Sequence, residues 1–163
     1  MTADQQGDWR AARDVPERAF SIQRVSWREG EHALRRVREQ VFVREQGVPV
    51  ALEWDGRDPD ALHLLAQDAE GAPIGTARML ADGQIGRMAV LPPWRGKGVG
   101  SALLAELLAI AARQHYPPLF LNAQIQVVNF YRRAGFEPEG EVFMDAGIPH
   151  RRMRRTIDRA PAP

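Results

Sequence analysis

The strongest constraint on the fold is a double change of apolar pattern between residues 84 and 124. Residues 84–91 read as a strand-like run. From 98 to 115 the pattern turns helical, with Val99, Leu103, Leu107 and Ile110 on one face and Leu104, Leu108 and Ala111 beside them. Pro117 and Pro118 stop that helix, and residues 119–124 form a second short apolar strand. Such a strand–helix–strand unit pairs its strands in parallel through a right-handed crossover.

The flanks make the sheet mixed. Residues 20–27 read as a strand, and 31–45 as a helix carrying Leu34, Val37, Val41 and Phe42, stopped by Gly47 and Pro49. Residues 50–60, rich in acidic residues, Gly and Pro, read as a loop. Runs 61–68, 74–81 and 84–91 form an antiparallel meander whose second turn carries Asp82-Gly83, a hairpin signal. Pro92 and Pro93 end it, since neither can donate to a ladder. After residue 124 come a helix ending at Gly135 and two strands, 137–144 and 150–157, with a turn around Gly147 and Pro149. The expected fold is one α/β domain: a mixed, mostly antiparallel central sheet of about seven strands flanked by helices. A sheet with such a switch of strand direction tends to bind ligands there.

At 163 residues the chain suits one domain. Residues 1–19 are polar and aperiodic and read as a flexible extension, 20–158 as the folded domain, and 159–163 as a tail. The net charge of +1 and aromatic content of 7% argue against nucleic acid as a partner. Arg151, Arg152, Arg154, Arg155 and Arg159 cluster near the C-terminus, either as a solvated strand face or as a patch for an acidic ligand. No cysteine is present, which removes disulfides, thiolate metal sites and a cysteine nucleophile. His32, His63, His115 and His150 are too far apart for a local metal motif, so no metal is expected. Met1–Arg10 lacks an apolar core and no run is long enough to span a bilayer, so the expected setting is cytoplasmic, without membrane contact.

The chemistry concentrates in Val90-Leu91-Pro92-Pro93-Trp94-Arg95-Gly96-Lys97-Gly98-Val99-Gly100-Ser101, between a strand and an apolar helix. Three glycines in five positions allow a tight turn and close backbone approach. Free N–H groups at a helix start favour an anion, and Arg95 and Lys97 add charge. The plainer alternative is a loop that uses glycine only to change direction. A Walker loop fails because Gly98 follows Lys97 where Ser or Thr is required. A dinucleotide fingerprint fails because Ser101 stands where a third glycine belongs.

Arg95, Gly98 and Gly100, as Arg-x-x-Gly-x-Gly, resemble the coenzyme A-binding motif of the GNAT superfamily of N-acetyltransferases. Asn122 at a strand end and Asn129-Phe130-Tyr131-Arg132-Arg133-Ala134-Gly135-Phe136 resemble that family's second signature. Val41-Phe42-Val43-Arg44-Glu45-Gln46, the Asp55/Asp58/His63 group and Gly147-Ile148-Pro149-His150-x-x-Met153 resemble its YjcF-like branch. The resemblance implies transfer of an acetyl group from acetyl-CoA to a small-molecule or peptide amine, attacked directly while both are bound. Main-chain groups of Met88, Ala89 and Val90 would align the pantetheine arm. Arg95, Gly96, Lys97, Gly98, Val99, Gly100 and Ser101 would hold the pyrophosphate, with Asn122 and Asn129 as further cofactor contacts. A homodimer is an expectation of the same kind, since dimers are common among such proteins.

Tyr131 matches the family's tyrosine and is the candidate acid for the departing thiolate; otherwise it is a packing aromatic. An ordinary phenol, near 10, holds its proton more tightly than a thiol near 8.5 and stays protonated at neutral pH. Glu45, Glu53 and His63 are candidate general bases, with surface roles for the two glutamates and a structural role for His63 as alternatives. A catalytically silent acyl-CoA sensor using the same cleft is the competing function.

Overall fold

The structure, a computed structural model, describes residues 19–155. The expected flexible extension, Ala19 excepted, the tail with Arg159, and the end of the last expected strand lie outside those residues. The elements are β1 (Phe20–Val25), α1 (Trp27–Arg38), α2 (Val50–Glu53), β2 (Leu62–Asp68), β3 (Pro73–Met79), β4 (Gln84–Val90), α3 (Val99–Arg113), β5 (Leu119–Gln124), α4 (Val128–Arg132), β6 (Glu137–Asp145) and β7 (Ile148–Arg155). They build one seven-stranded sheet in the order β1-β2-β3-β4-β5-β7-β6. Only β4 and β5 run parallel, as the crossover demands.

α1 begins four residues before the expected start. Ser26 caps it, accepting from Glu29 N at 3.1 Å while its hydroxyl donates to Glu29 Oε1 at 3.0 Å. Gly30 looks like a breaker, yet the close packing of β1 on the helix requires it: a Cβ there would lie 2.6 Å from Val25 Cγ2. Beyond Arg38 the helix widens into π-helical turns over Glu39–Glu45. The segment read as a loop holds α2 and a 3₁₀ turn, Asp58–Asp60.

The two long helices cover opposite faces of the sheet. Leu62, Leu64 and Ala66 of β2 join the core cluster that contains Leu103, Leu104 and Leu107 of α3. The intervening His63 points the other way and meets Trp27 of α1, with ring centroids 5.3 Å apart. Leu119, Leu121 and Ala123 of β5 and Met153 of β7 share the α3-side core with Tyr131 and Phe136.

Two irregularities shape the centre of the sheet. Between the pairs Thr76–Ala89 and Arg78–Gly86, β4 spends one residue more than β3, a bulge with Arg87 at φ 49°. The β4–β5 ladder contains only Gln84–Phe120 and Ile85–Leu121, after which the strands part.

The β3–β4 hairpin places Gly83 at φ +94°, where a Cβ would sit 2.7 Å from Pro118 O at the entry to β5. Gly83→Ala is expected to lower unfolding free energy by about 1–3 kcal/mol, through backbone strain plus displacement of that entry. Gly71→Ala, at φ +84° with no neighbour within 4 Å, should cost less. Urea denaturation of both variants checks this.

Candidate active site

A cleft of about 900 Å³ opens where β4 and β5 diverge. Met88, Ala89 and Val90 of β4 form one wall and Asn122 of β5 another. Arg95, Gly96, Gly98, Val99, Gly100 and Ser101 stand at its mouth, Tyr131 comes from α4, and Glu45 and Glu53 come from the α1 side. One cavity therefore gathers most of the residues the sequence singled out. Lys97, Asn129 and His63 do not line it.

The mouth is built by glycine. Gly96 at φ +75° and Gly98 at φ +85° adopt left-handed backbone, and a Cβ on either would meet no atom within 4 Å. Gly98 caps α3, whose first N–H groups have no intrahelical partner. The space in front of these glycines and amides fits a diphosphate. Arg95 leans across the mouth: its Nε donates to Val90 O at 2.9 Å, and Nη1 and Nη2 each donate to a Glu45 oxygen at 2.8 Å. The Arg95 hydrogen bonds hold the Glu45 carboxyl below its ordinary range. Lys97 stays outside, its ammonium 5.2 Å from the Trp94 ring centroid.

Tyr131 is a core residue with one polar end. Its ring packs edge-on against Phe130 and Phe136, and its hydroxyl lies 3.4 Å from Met88 Sδ on β4. Burial pushes the phenol up to about 12, so it holds its proton throughout the neutral range and acts as a hydrogen-bond donor.

The α1 side of the cleft rests on an ionic network whose Arg38, Glu53, Asp58 and Arg78 are buried while Asp55 and Arg87 reach its edge. Arg38 binds Asp58 at 2.7 Å and Glu53 at 2.9 Å. Arg78 binds Asp55 at 2.8 Å and Asp58 at 3.1 Å. Arg87 lies 2.8 Å from Glu53 Oε2 and 3.2 Å from Asp55, and donates to Glu53 O at 2.9 Å. Three guanidiniums thus balance three carboxylates. Burial pushes the Glu53 carboxyl up against the pull of Arg87 and Arg38. Asp55 and Asp58 go down instead, because hydrogen bonds and charge from Arg78 and Arg38 overcome their burial. His63 sits beside the network with Nε2 2.8 Å from Asp58 O, and burial lowers it.

Sequence reading overlooked all three arginines. An arginine in a helix or strand is usually solvated, and only their positions within apolar stretches, as in Thr76-Ala77-Arg78-Met79 and Gly86-Arg87-Met88-Ala89, hinted otherwise. Removing one member strands buried charge, so Arg38→Met is expected to destabilise by about 3–5 kcal/mol. Because Asp55 and Asp58 are depressed, their contribution is complete above the ordinary 3.8 and lost as pH falls below it. Urea midpoints of the wild type should therefore drop on acidification through that range, and those of Arg38→Met should drop less.

Among the described residues there is no group of His, Asp and Glu able to hold a metal, and no helix long and apolar enough to cross a membrane. Residues 29–157 match the family model described as an acetyltransferase (GNAT) domain. The uncharacterized N-acetyltransferase YjcF of Bacillus subtilis (strain 168) is 39% identical over 123 residues, covering 73% of this chain and 87% of that protein. A crystal structure of an acyl-CoA N-acyltransferase from Pseudomonas aeruginosa superposes with TM-score 0.76 at 32% identity, over 84% of this chain and 99% of that one. Escherichia coli ElaA superposes with TM-score 0.74 at 32% identity, over 83% of this chain and 99% of that one. Fold, cleft and kinship agree, and the chain belongs to the GNAT acetyltransferase family.

Proposed function

We propose that the protein transfers an acetyl group from acetyl-CoA to a primary amine, the amine attacking the thioester directly while both are bound. The observation that carries this reading is the parting of β4 and β5 after two ladder positions, with the bare α3 N-terminus at the mouth. Parallel strands seldom leave main-chain groups unpaired unless something else binds there. Bound acetyl-CoA would supply the activated acyl carbon and the thiol leaving group.

The residues divide this work. Residues 95–101 receive the pyrophosphate through α3 amides, with Arg95 and Lys97 as nearby cations. The open edge of Met88, Ala89 and Val90 aligns the pantetheine arm. Asn122 lines the same channel, while the exposed Asn129 sits on α4 outside its lining. Tyr131 donates a hydrogen bond to the departing sulfur. With no cysteine in the chain, a cysteine acyl-enzyme is not available.

The three candidate bases differ in freedom. Glu45 has both oxygens on Arg95. His63 is 1% exposed, outside the cleft, with Nε2 committed to Asp58 O. Glu53 lines the cleft but holds Arg38 and Arg87.

A thermal-shift titration with coenzyme A tests the site. Saturating ligand at a hundred times its dissociation constant should add about 2.7 kcal/mol of stability. Gly98→Asp should abolish that shift, since it adds a carboxylate where phosphate is received; a normal shift removes the cofactor from this mouth. Tyr131→Phe should slow thiol release from acetyl-CoA roughly 10²-fold across an amine panel, with cofactor affinity little changed. Unchanged turnover takes Tyr131 out of the mechanism.

A further inference from the structure

The acceptor side of the cleft holds an imidazole that none of the roles above employs. His150 lies on β7, lines the cleft and is half-buried. Its Nδ1 is 2.7 Å from Ile148 O. A carbonyl oxygen can only accept, so Nδ1 carries the proton and, in the neutral ring, Nε2 keeps its lone pair. The ring stacks on Phe143 at 5.9 Å and 26°, which fixes its plane. Among the described residues Nε2 has no hydrogen-bond partner.

The register puts this residue beside the parted strands. His150 stands directly opposite Gln124 on β5. Gln124 lies beyond the last β4–β5 ladder pair, Ile85–Leu121, as Met88 does on β4. His150 and Met88, whose sulfur touches the Tyr131 hydroxyl, therefore both line the cleft where the strands have parted. Side chains alternate along β5: Leu121 and Ala123 face Tyr131 and α3, whereas Gln124 faces the α1 side, bonded to Gln46 at 2.9 Å. Tyr131 and His150 thus reach the parted strands from opposite faces of the sheet.

We propose that His150 Nε2 is the general base of this enzyme, a reading that rests on the acetyl-transfer function above. An amine acceptor arrives as an ammonium ion. One proton passes to Nε2, and the freed lone pair forms the N–C bond to the thioester carbonyl carbon. The C–S bond breaks as the carbonyl re-forms, and the second proton leaving nitrogen ends on the departing sulfur as free thiol. The imidazolium then returns its proton to solvent, which balances the step. The competitors are worse placed. A proton on Glu53 would strip Arg38 and Arg87 of a buried counter-charge, and a carboxylate is ordinarily a much weaker base than an imidazole.

The test compares His150→Gln and His150→Ala with wild type in the full chain, using acetyl-CoA with either the protonated alkylamine that turns over fastest in the panel or hydroxylamine. Hydroxylamine is already neutral at pH 7 and needs no base to free its lone pair. Both variants should slow thiol release with the alkylamine by about 10²-fold or more, keep the acetyl-CoA thermal shift, and retain hydroxylamine-driven release within about threefold. Alkylamine turnover near the wild-type rate overturns the proposal, as does an equal loss with both nucleophiles. A second measurement needs no turnover: long-range nitrogen–proton NMR of the acetyl-CoA complex near pH 8 should show His150 Nε2 without a proton. A proton on Nε2 overturns the assignment, whereas failure of wild type to bind acetyl-CoA overturns the functional reading beneath it.

Discussion

The cleft exists because two parallel strands share only two ladder positions. Unpaired main-chain groups in the middle of a sheet are costly, so something must both cause the divergence and occupy the gap. The cause is on β4. The bulge at Arg87 inserts a residue, turns the chain through φ 49° and shifts the strand's register against β3. A left-handed arginine costs on the order of 1–3 kcal/mol and persists only where its surroundings hold it. Here Glu53, Asp55 and the Leu52 and Glu53 carbonyls hold the guanidinium, and Thr76 Oγ1 donates to the Arg87 carbonyl at 2.9 Å.

That arrangement explains why so much charge is buried. Three arginines and three carboxylates are an expensive way to fill space, and a hydrophobic cluster of like volume is often as stable. What apolar side chains do not supply is direction. The Arg38–Glu53–Arg87–Asp55–Arg78–Asp58 ring ties α1, α2, the Asp58–Asp60 turn, β3 and the bulge into one unit. The α1 side of the cleft is therefore braced at its base. The ring also keeps Glu53 engaged with Arg38 and Arg87.

The elements of the fold were largely legible because their periodicities are strong. α3 and the strands around it follow from Val99, Leu103, Leu107 and Ile110 and from the proline stops. The N-terminus of α1 was not, because Gly30 resembles a breaker until Val25 is seen against it, and because the Ser26–Glu29 capping pair is short and local. Likewise the acidic stretch before β2 reads as solvated loop in one dimension, and as a counter-ion set only once Arg38, Arg78 and Arg87 converge on it. In the candidate site, the glycine turn and Tyr131 could be marked in advance; His150 could be noted only as part of a motif, since its free nitrogen depends on a contact with Ile148 and its place in the cleft on a pairing with Gln124 of β5.

By itself, then, the sequence determined what depends on neighbouring residues: the order of strands and helices, the parallel crossover, and a helix mouth stripped of side chains by Gly96, Gly98 and Gly100. These are set by backbone sterics and short-range periodicity, which act along the chain. Tertiary structure alone decided which polar groups are committed and which are free. Whether a carboxylate or an imidazole can take a proton is a matter of what lies within about 3 Å of it, and those neighbours come from segments far apart in sequence.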